Sequence, residues 1–262
     1  MRLNIKKIIM VWGLWVPVCG LAASPTAVEQ SPQEATEPAP KKPVQVHPWK
    51  GTDVQAGAVI NSGNTNSQNY NVAANIKYTY KKWVATEDTT YQRASSSDKG
   101  TTADKFFTQG QLNFNFTEHN FVYTQANYTR DIFSGFTYVV NYSIGYGRRI
   151  PVMPASMTLD IFAGPGMRFD KESETDHQRT DASVQIGVNY AWNITQATAF
   201  DEQFQITMAK DNTNTSSKSA LVTTLSTHLG FSINFLITND SQPASGKQNV
   251  NTSTTLNLAY NF

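Results

Sequence analysis

Cysteine is nearly absent: the 262 residues hold one, Cys19. A disulfide framework and a Cys-based metal cage are both excluded. Histidine is almost as rare, and His47, His119, His177 and His228 lie far apart. No HExxH or His-x-Glu spacing occurs, so the common zinc signatures are missing. No Gly-x-Ser-x-Gly elbow marks a serine hydrolase. Charge is low too, at 16% of residues, where a soluble domain carries about 25%. The 21 Lys and Arg nearly balance 20 Asp and Glu, which leaves no basic surface for nucleic acid. No long stretch repeats apolar residues at helical spacing. The apolar run at 8–18 is shorter than the roughly 20 residues a helix needs to cross a bilayer.

That run has a different reading. In MRLNIKKIIMVWGLWVPVCGLAAS it follows Arg2, Lys6 and Lys7 and precedes small residues, the three-part pattern of a secretory signal. Gly20 and Ala22 suit positions −3 and −1 of a cut after Ala22, with Ala23 as the alternative. Val18 before Cys19 is not small, so VPVC makes a poor lipidation box. Residues 1–22 are therefore expected to be removed. Cleavage takes Cys19 and three cations with it, leaving 18 basic against 20 acidic residues, a net of −2.

Residues 23–48 carry Pro25, Pro32, Pro38, Pro40, Pro43 and Pro48 among Ala, Glu and Gln. Such a composition cannot bury a core and predicts a disordered periplasmic linker. The folded domain is expected at 49–262.

There the dominant period is two, the period of a strand. In NYNVAANIKYTY, Tyr70, Val72, Ala74, Ile76, Tyr78 and Tyr80 share one face, with Asn, Lys and Thr prominent on the other. Strands are predicted near 52–61, 68–80, 83–94, 105–116, 120–130, 136–148, 156–168, 181–193, 199–210, 217–226, 229–238 and 251–262. Lengths of this order suit tilted membrane strands. Connections alternate in length. Long ones are expected at 95–104, 169–180, 211–216 and 239–250, and short ones at KK, TEHN, NITQAT and STHL. That order matches the long outer loops and short periplasmic turns of a membrane barrel. With that orientation, Trp49, Tyr78, Tyr80, Trp83, Phe114, Phe116, Phe121, Tyr146, Tyr190, Trp192, Tyr260 and Phe262 gather at the periplasmic end, where aromatic residues anchor in the interface. The predicted fold is all-β, a transmembrane antiparallel up-and-down barrel. SALVTTLSTHLGFSINFLITND reads as one strand or two. Even strand counts in bacterial barrels favour two, giving twelve strands, with ten as the alternative.

Four segments carry a resemblance: WKGTDVQAGAVINSGNTNSQNYNVAANIKYTYKKW, YTRDIFSGFTYVVNYSIGYGRR, ASVQIGVNYAW and LNLAYNF. Over 49–262 the chain resembles the salt-induced outer-membrane protein family, with SGNT and RDIFSG its most specific pieces. The resemblance implies a Gram-negative outer-membrane location and a salt- or envelope-stress role. It supplies no catalytic residues, and no metal or cofactor is expected.

The predicted inward face is rich in amides, which both donate and accept hydrogen bonds. Asn71, Asn75, Lys77, Gln109, Gln111, Asn113, Asn141, Asp160, Gln185 and Asn189 are the expected pore-lining residues. They suit a narrow, porin-like path for small neutral or zwitterionic solutes. They suit equally a closed lumen in a structural barrel whose 24–48 arm contacts a periplasmic partner. A weaker alternative is a barrel hydrolase using Asp176 and His177 of an outer loop. At the chain end, Leu256, Leu258, Tyr260 and Phe262 alternate with polar residues. They resemble the terminal signal read by the barrel assembly machinery. Expected lipid partners are outer-membrane lipid and lipopolysaccharide.

Overall fold

The computed structural model describes residue 49 and residues 51–261, apart from 62–66, 153 and 245. The expected signal peptide and linker, and Phe262, lie outside the described residues.

Twelve strands follow one another: β1 (Asp53–Asn61), β2 (Ser67–Tyr80), β3 (Trp83–Ser96), β4 (Gly100–Asn115), β5 (Asn120–Asp131), β6 (Phe136–Ile150), β7 (Met157–Glu172), β8 (Gln178–Asn193), β9 (Thr198–Ala209), β10 (Thr213–Thr224), β11 (Leu229–Asp240) and β12 (Val250–Asn261). Each pairs antiparallel with its chain neighbours, and β12 returns to β1 to close the barrel. The ambiguous stretch is two strands. The chain reverses at 225–228, where the Leu225 N–H donates to the Leu229 carbonyl at 2.8 Å.

Register carries one set of side chains inward around the whole ring. Asn75 opposes Asp88, Asp88 opposes Gln109, Gln109 opposes Asn127, and Asn127 opposes Asn141. The alternate set points out, and it is apolar: Ile144 is 53% exposed and Leu258 58%. Meanwhile Gln125, Ser143, Gln185 and Asn257 are buried. This inversion of a soluble core fits hydrocarbon outside and polar groups within. The hydrogen-bonded ladder closes into a ring, the condition for strands to span a bilayer.

Two lipid-facing positions break the pattern. Glu202 accepts hydrogen bonds from the hydroxyls of Ser217, at 2.6 Å, and Ser219. Glu87 accepts from Thr89 at 3.2 Å. Neighbouring hydroxyls thus stand in for water around each carboxylate.

The aromatic belt is present at the end with the short turns. Trp49 packs on Tyr78 (4.7 Å between ring centroids), Trp83 on Phe114 (4.8 Å), and Tyr260 stacks on His228 (5.6 Å). Phe121 is the exception to the expected belt: it turns into the lumen and is 2% exposed. Its register opposite Asn115 and Gly147 sets that direction, whatever its chemistry prefers.

The long outer loops need a second correction. The expected loops at 95–104 and 169–180 are largely strand, and their hairpins turn at 97–99 and 173–177. The Ser, Thr, Asp and Lys there read as loop because they are polar. Above the membrane a strand needs no apolar face, so the ladder continues until positive-φ residues turn it, such as Gly100 (69°) and Asp176 (57°). The expected loop at 211–216 shrinks to 210–212, while 241–249 remains the longest connection.

Candidate functional site in the barrel lumen

All ten expected lining residues occupy inward positions. On β2, the Asn71 amide donates to Asn257 at 2.9 Å, and that of Asn75 to Asp53 at 3.0 Å. Lys77 lies within electrostatic range of Asp201. On β4, Gln111 donates to Asn113 at 2.8 Å, and Gln109 accepts from Gln125 at 2.8 Å. Asn141 donates to Asn127 at 3.0 Å, and Gln185 accepts from Ser143. Asp160 takes both prongs of Arg149, at 2.9 and 3.0 Å. With Asn189 and Gln203, Asp160 lines a cavity of about 120 Å³ near the periplasmic end.

These residues do not form one open path. At mid-height the lumen is bridged. Gln125 of β5 donates to Gln109 on the neighbouring strand and to Gln205 of β9 at 3.2 Å. β5 and β9 are four strands apart in the ring, so this second bond crosses the lumen. Beside it Phe121, Tyr123 and Phe162 form a buried aromatic cluster, with Tyr123 edge-on to Phe162 at 5.0 Å. Glycines make room for the rings: a Cβ on Gly147 would strike Phe121, and one on Gly187 would strike Phe162.

The outer end is closed by charge and by a loop. Asp170, 1% exposed, accepts from Arg168 at 3.0 Å and from Arg179 at 2.8 Å. Both guanidinium groups lie over the Phe136 ring, at 6.0 and 5.7 Å. Asn214 of β10, its amide turned to serve both neighbours, accepts from Arg168 and donates to Asp240 at 3.3 Å. Above this cluster the 241–249 loop leaves β11 and reaches the β5–β6 turn. Gly135 there lies so close that a side chain would strike the Cβ of Ala244. These two hairpins are six strands apart, on opposite sides of the ring. The loop therefore spans the mouth.

Asp176 and His177 are not brought together as a dyad. The Asp176 carboxylate is held by Lys171 at 2.8 Å and is largely exposed. His177 uses its backbone N–H on the Thr175 hydroxyl at 3.3 Å. Among the described residues no group of three or more His, Cys, Asp or Glu is arranged to hold a metal ion. At the chain end Leu256, Leu258 and Tyr260 face outward and are half exposed.

The family described as "Protein of unknown function, DUF481" matches residues 54–262, the whole strand array. The chain belongs to this family. It is the salt-induced outer-membrane family that the sequence segments resemble. "Uncharacterized protein YdiY" of Escherichia coli (strain K12) is 26% identical over 221 residues, which cover 82% of this chain and 84% of that one. Among solved structures, the chain is similar to the COG4313 outer membrane channel from Pseudomonas putida F1, with 11% identity, a TM-score of 0.46, and 86% and 98% of the two chains covered. It is similar also to the translocator domain of autotransporter NalP from Neisseria meningitidis, with 9% identity, a TM-score of 0.45, and 80% and 87% covered. The family's description assigns it no function, and the protein is a closed transmembrane β-barrel whose lumen is its candidate site.

Three features of the lumen escaped sequence reasoning. The cross-lumen Gln125–Gln205 bond and the loop over the mouth join distant strands, and the Arg168–Asp170–Arg179 cluster, built on the neighbouring β7 and β8, reaches Asn214 of β10. Alternation assigns each side chain to a face. It does not say which side chains meet across the ring.

Proposed function

We propose that the protein is a non-enzymatic outer-membrane barrel that provides a narrow, gated path for small neutral or zwitterionic solutes. The observation that supports this most is the neutral amide waist, where a hydrogen bond between Gln125 and Gln205 crosses the lumen. Amide side chains have rotatable links and no charge to strip of water. A waist made of them opens by rotamer change, at a cost of about 1 kcal/mol per hydrogen bond. In this reading secretion begins with cleavage after Ala22 or Ala23, and the 24–48 arm lies in the periplasm. The terminal strand, through Leu256, Leu258, Tyr260 and Phe262, is read by the barrel assembly machinery. A salt- or envelope-stress role follows from the family resemblance.

Planar-bilayer recording tests the pore. The native barrel is expected to show low, intermittent conductance, and Gln125→Ala with Gln205→Ala to raise it. Silence from both at every voltage would favour the second reading, a structural barrel with a permanently closed lumen. The outer cluster supports that reading, because Arg168 and Asp170 are both buried. Deleting 24–48 would then change the periplasmic partners captured by crosslinking while the barrel still assembles. A hydrolase based on Asp176 and His177 is the weakest reading, and His177→Ala in a lipid and peptide hydrolysis screen tests it.

A further inference from the structure

We propose that the outer rim of β3–β5 is a binding site for the phosphates of the outer-leaflet glycolipid, lipopolysaccharide, built on Arg93 and Arg130. Arg93 stands opposite Tyr70 and Asp104, and Arg130 opposite Phe106, all on the outward face. Both arginines are exposed. Among the described residues neither guanidinium forms a hydrogen bond or an ion pair.

Their height is set by the strand. From the belt residue Trp83 to Arg93, at about 3.3 Å per residue and a tilt of about 40°, the rise is about 25 Å. That is the height of the apolar band of an outer-membrane barrel, about 25 Å. Arg93 therefore lies at the level of the outer headgroups. Arg130 is two strands away and two residues lower in register, so the two Cα atoms are about 12 Å apart. Guanidinium forks at that spacing reach phosphate oxygens from both sides, and each can bind them in pairs.

Beneath the arginines is an apolar shelf suited to acyl chains. Phe106 and Tyr128 pack at 6.2 Å between centroids, and Tyr91 stands beside them, 37% exposed. The opposite side of the rim differs. Outward strand positions there carry Thr213, Thr215, Ser217, Thr252 and Thr254, and the cations on that side, Lys210 and Lys247, lie in the hairpin connections and not on the strands. Lys171 faces outward between the two regions, but Asp176 holds it at 2.8 Å. Asp104 sits between the two arginines and leaves a surplus of one positive charge. Because it repels a phosphate, its neutral amide should strengthen the site.

The test uses the full barrel in detergent micelles, titrated with bisphosphorylated lipid A, dephosphorylated lipid A and phosphatidylglycerol, with bound lipid read by native mass spectrometry. The native protein should retain the bisphosphorylated lipid at least tenfold better than the dephosphorylated one. Arg93→Gln and Arg130→Gln, singly and together, should remove that preference, and Asp104→Asn should increase it. Arg148→Gln, on an outward arginine at the periplasmic end, should leave it unchanged. Equal retention of the two lipid A forms would overturn the proposal and leave the arginines as interfacial anchors without headgroup recognition. Equal competition by phosphatidylglycerol, or an equal effect of Arg148→Gln, would overturn it too. Heat-modifiable gel mobility checks folding of each variant. The site depends on the barrel's orientation and not on conduction, so a silent pore would leave it standing.

Discussion

Gly187 shows how single residues shape this lumen. Its missing side chain is the space that the Phe162 ring fills. Gly187→Ala should lower stability by about 1–3 kcal/mol, the usual cost of overpacking. The loss should be smaller in a Phe162→Leu background, where the ring that causes it is gone. Urea midpoints of the four proteins in detergent measure this, and equal losses in both backgrounds would reject the steric account. Arg168 works through charge instead. Arg168→Met would leave Asp170 with Arg179 alone and remove the donor that Asn214 faces. Breaking a buried pair costs about 3–5 kcal/mol, and the remaining arginine should hold the loss near the lower figure. The same urea titration reads it.

At the scale of elements, the seam is the weakest join. β1 pairs with β12 only over 53–56, opposite 258–261, whereas β1 pairs with β2 along its whole length. Side chains reinforce the short seam. Gln55 accepts from Ser232 at 2.8 Å, Asn257 at 3.0 Å and Asn234 at 3.3 Å, and donates to Asp53 at 2.8 Å. Gln55→Ala would orphan several buried donors at once, a loss of about 2–3 kcal/mol. The heat-modified gel shift should then occur at a lower temperature. Amide exchange should be fastest at the seam in the variant, and uniform exchange across all strands would contradict this. The hairpins at 97–99 and 173–177 matter at this scale as well. They carry the ladder beyond the membrane, and the second brings Arg179 to Asp170.

For the molecule as a whole, the inside-out distribution of polarity makes one prediction before any question of transport. Extracted in detergent and left unheated, the protein should run compact on a gel and shift on boiling, as a closed barrel does. Identical mobility with and without heat would reject the membrane barrel. Much of this architecture was legible in the residues. The alternation at 70–80 and 182–192 identified strand faces correctly, and the even-count rule divided the stretch at 225–228. Hairpin ends were less legible, because a strand above the membrane loses its apolar face and resembles a loop. The direction of Phe121 was misjudged for a related reason: aromatic chemistry suggested the belt, while register with Gly147 decided the lumen.

The sequence by itself determined the class of protein and its polarity, because a period of two over twelve segments leaves a sheet with one apolar and one polar face. It determined the chain's closing strand for the same reason. Only the tertiary structure decided that the lumen is bridged at mid-height. Whether amides line a channel or bridge it depends on the distance across the ring, which is a property of closure and curvature. Gln125 and Gln205 are eighty residues apart and lie on strands that never pair, so no local pattern records their meeting. Ala244 and Gly135 likewise meet only because the ring brings opposite hairpins within reach of one loop.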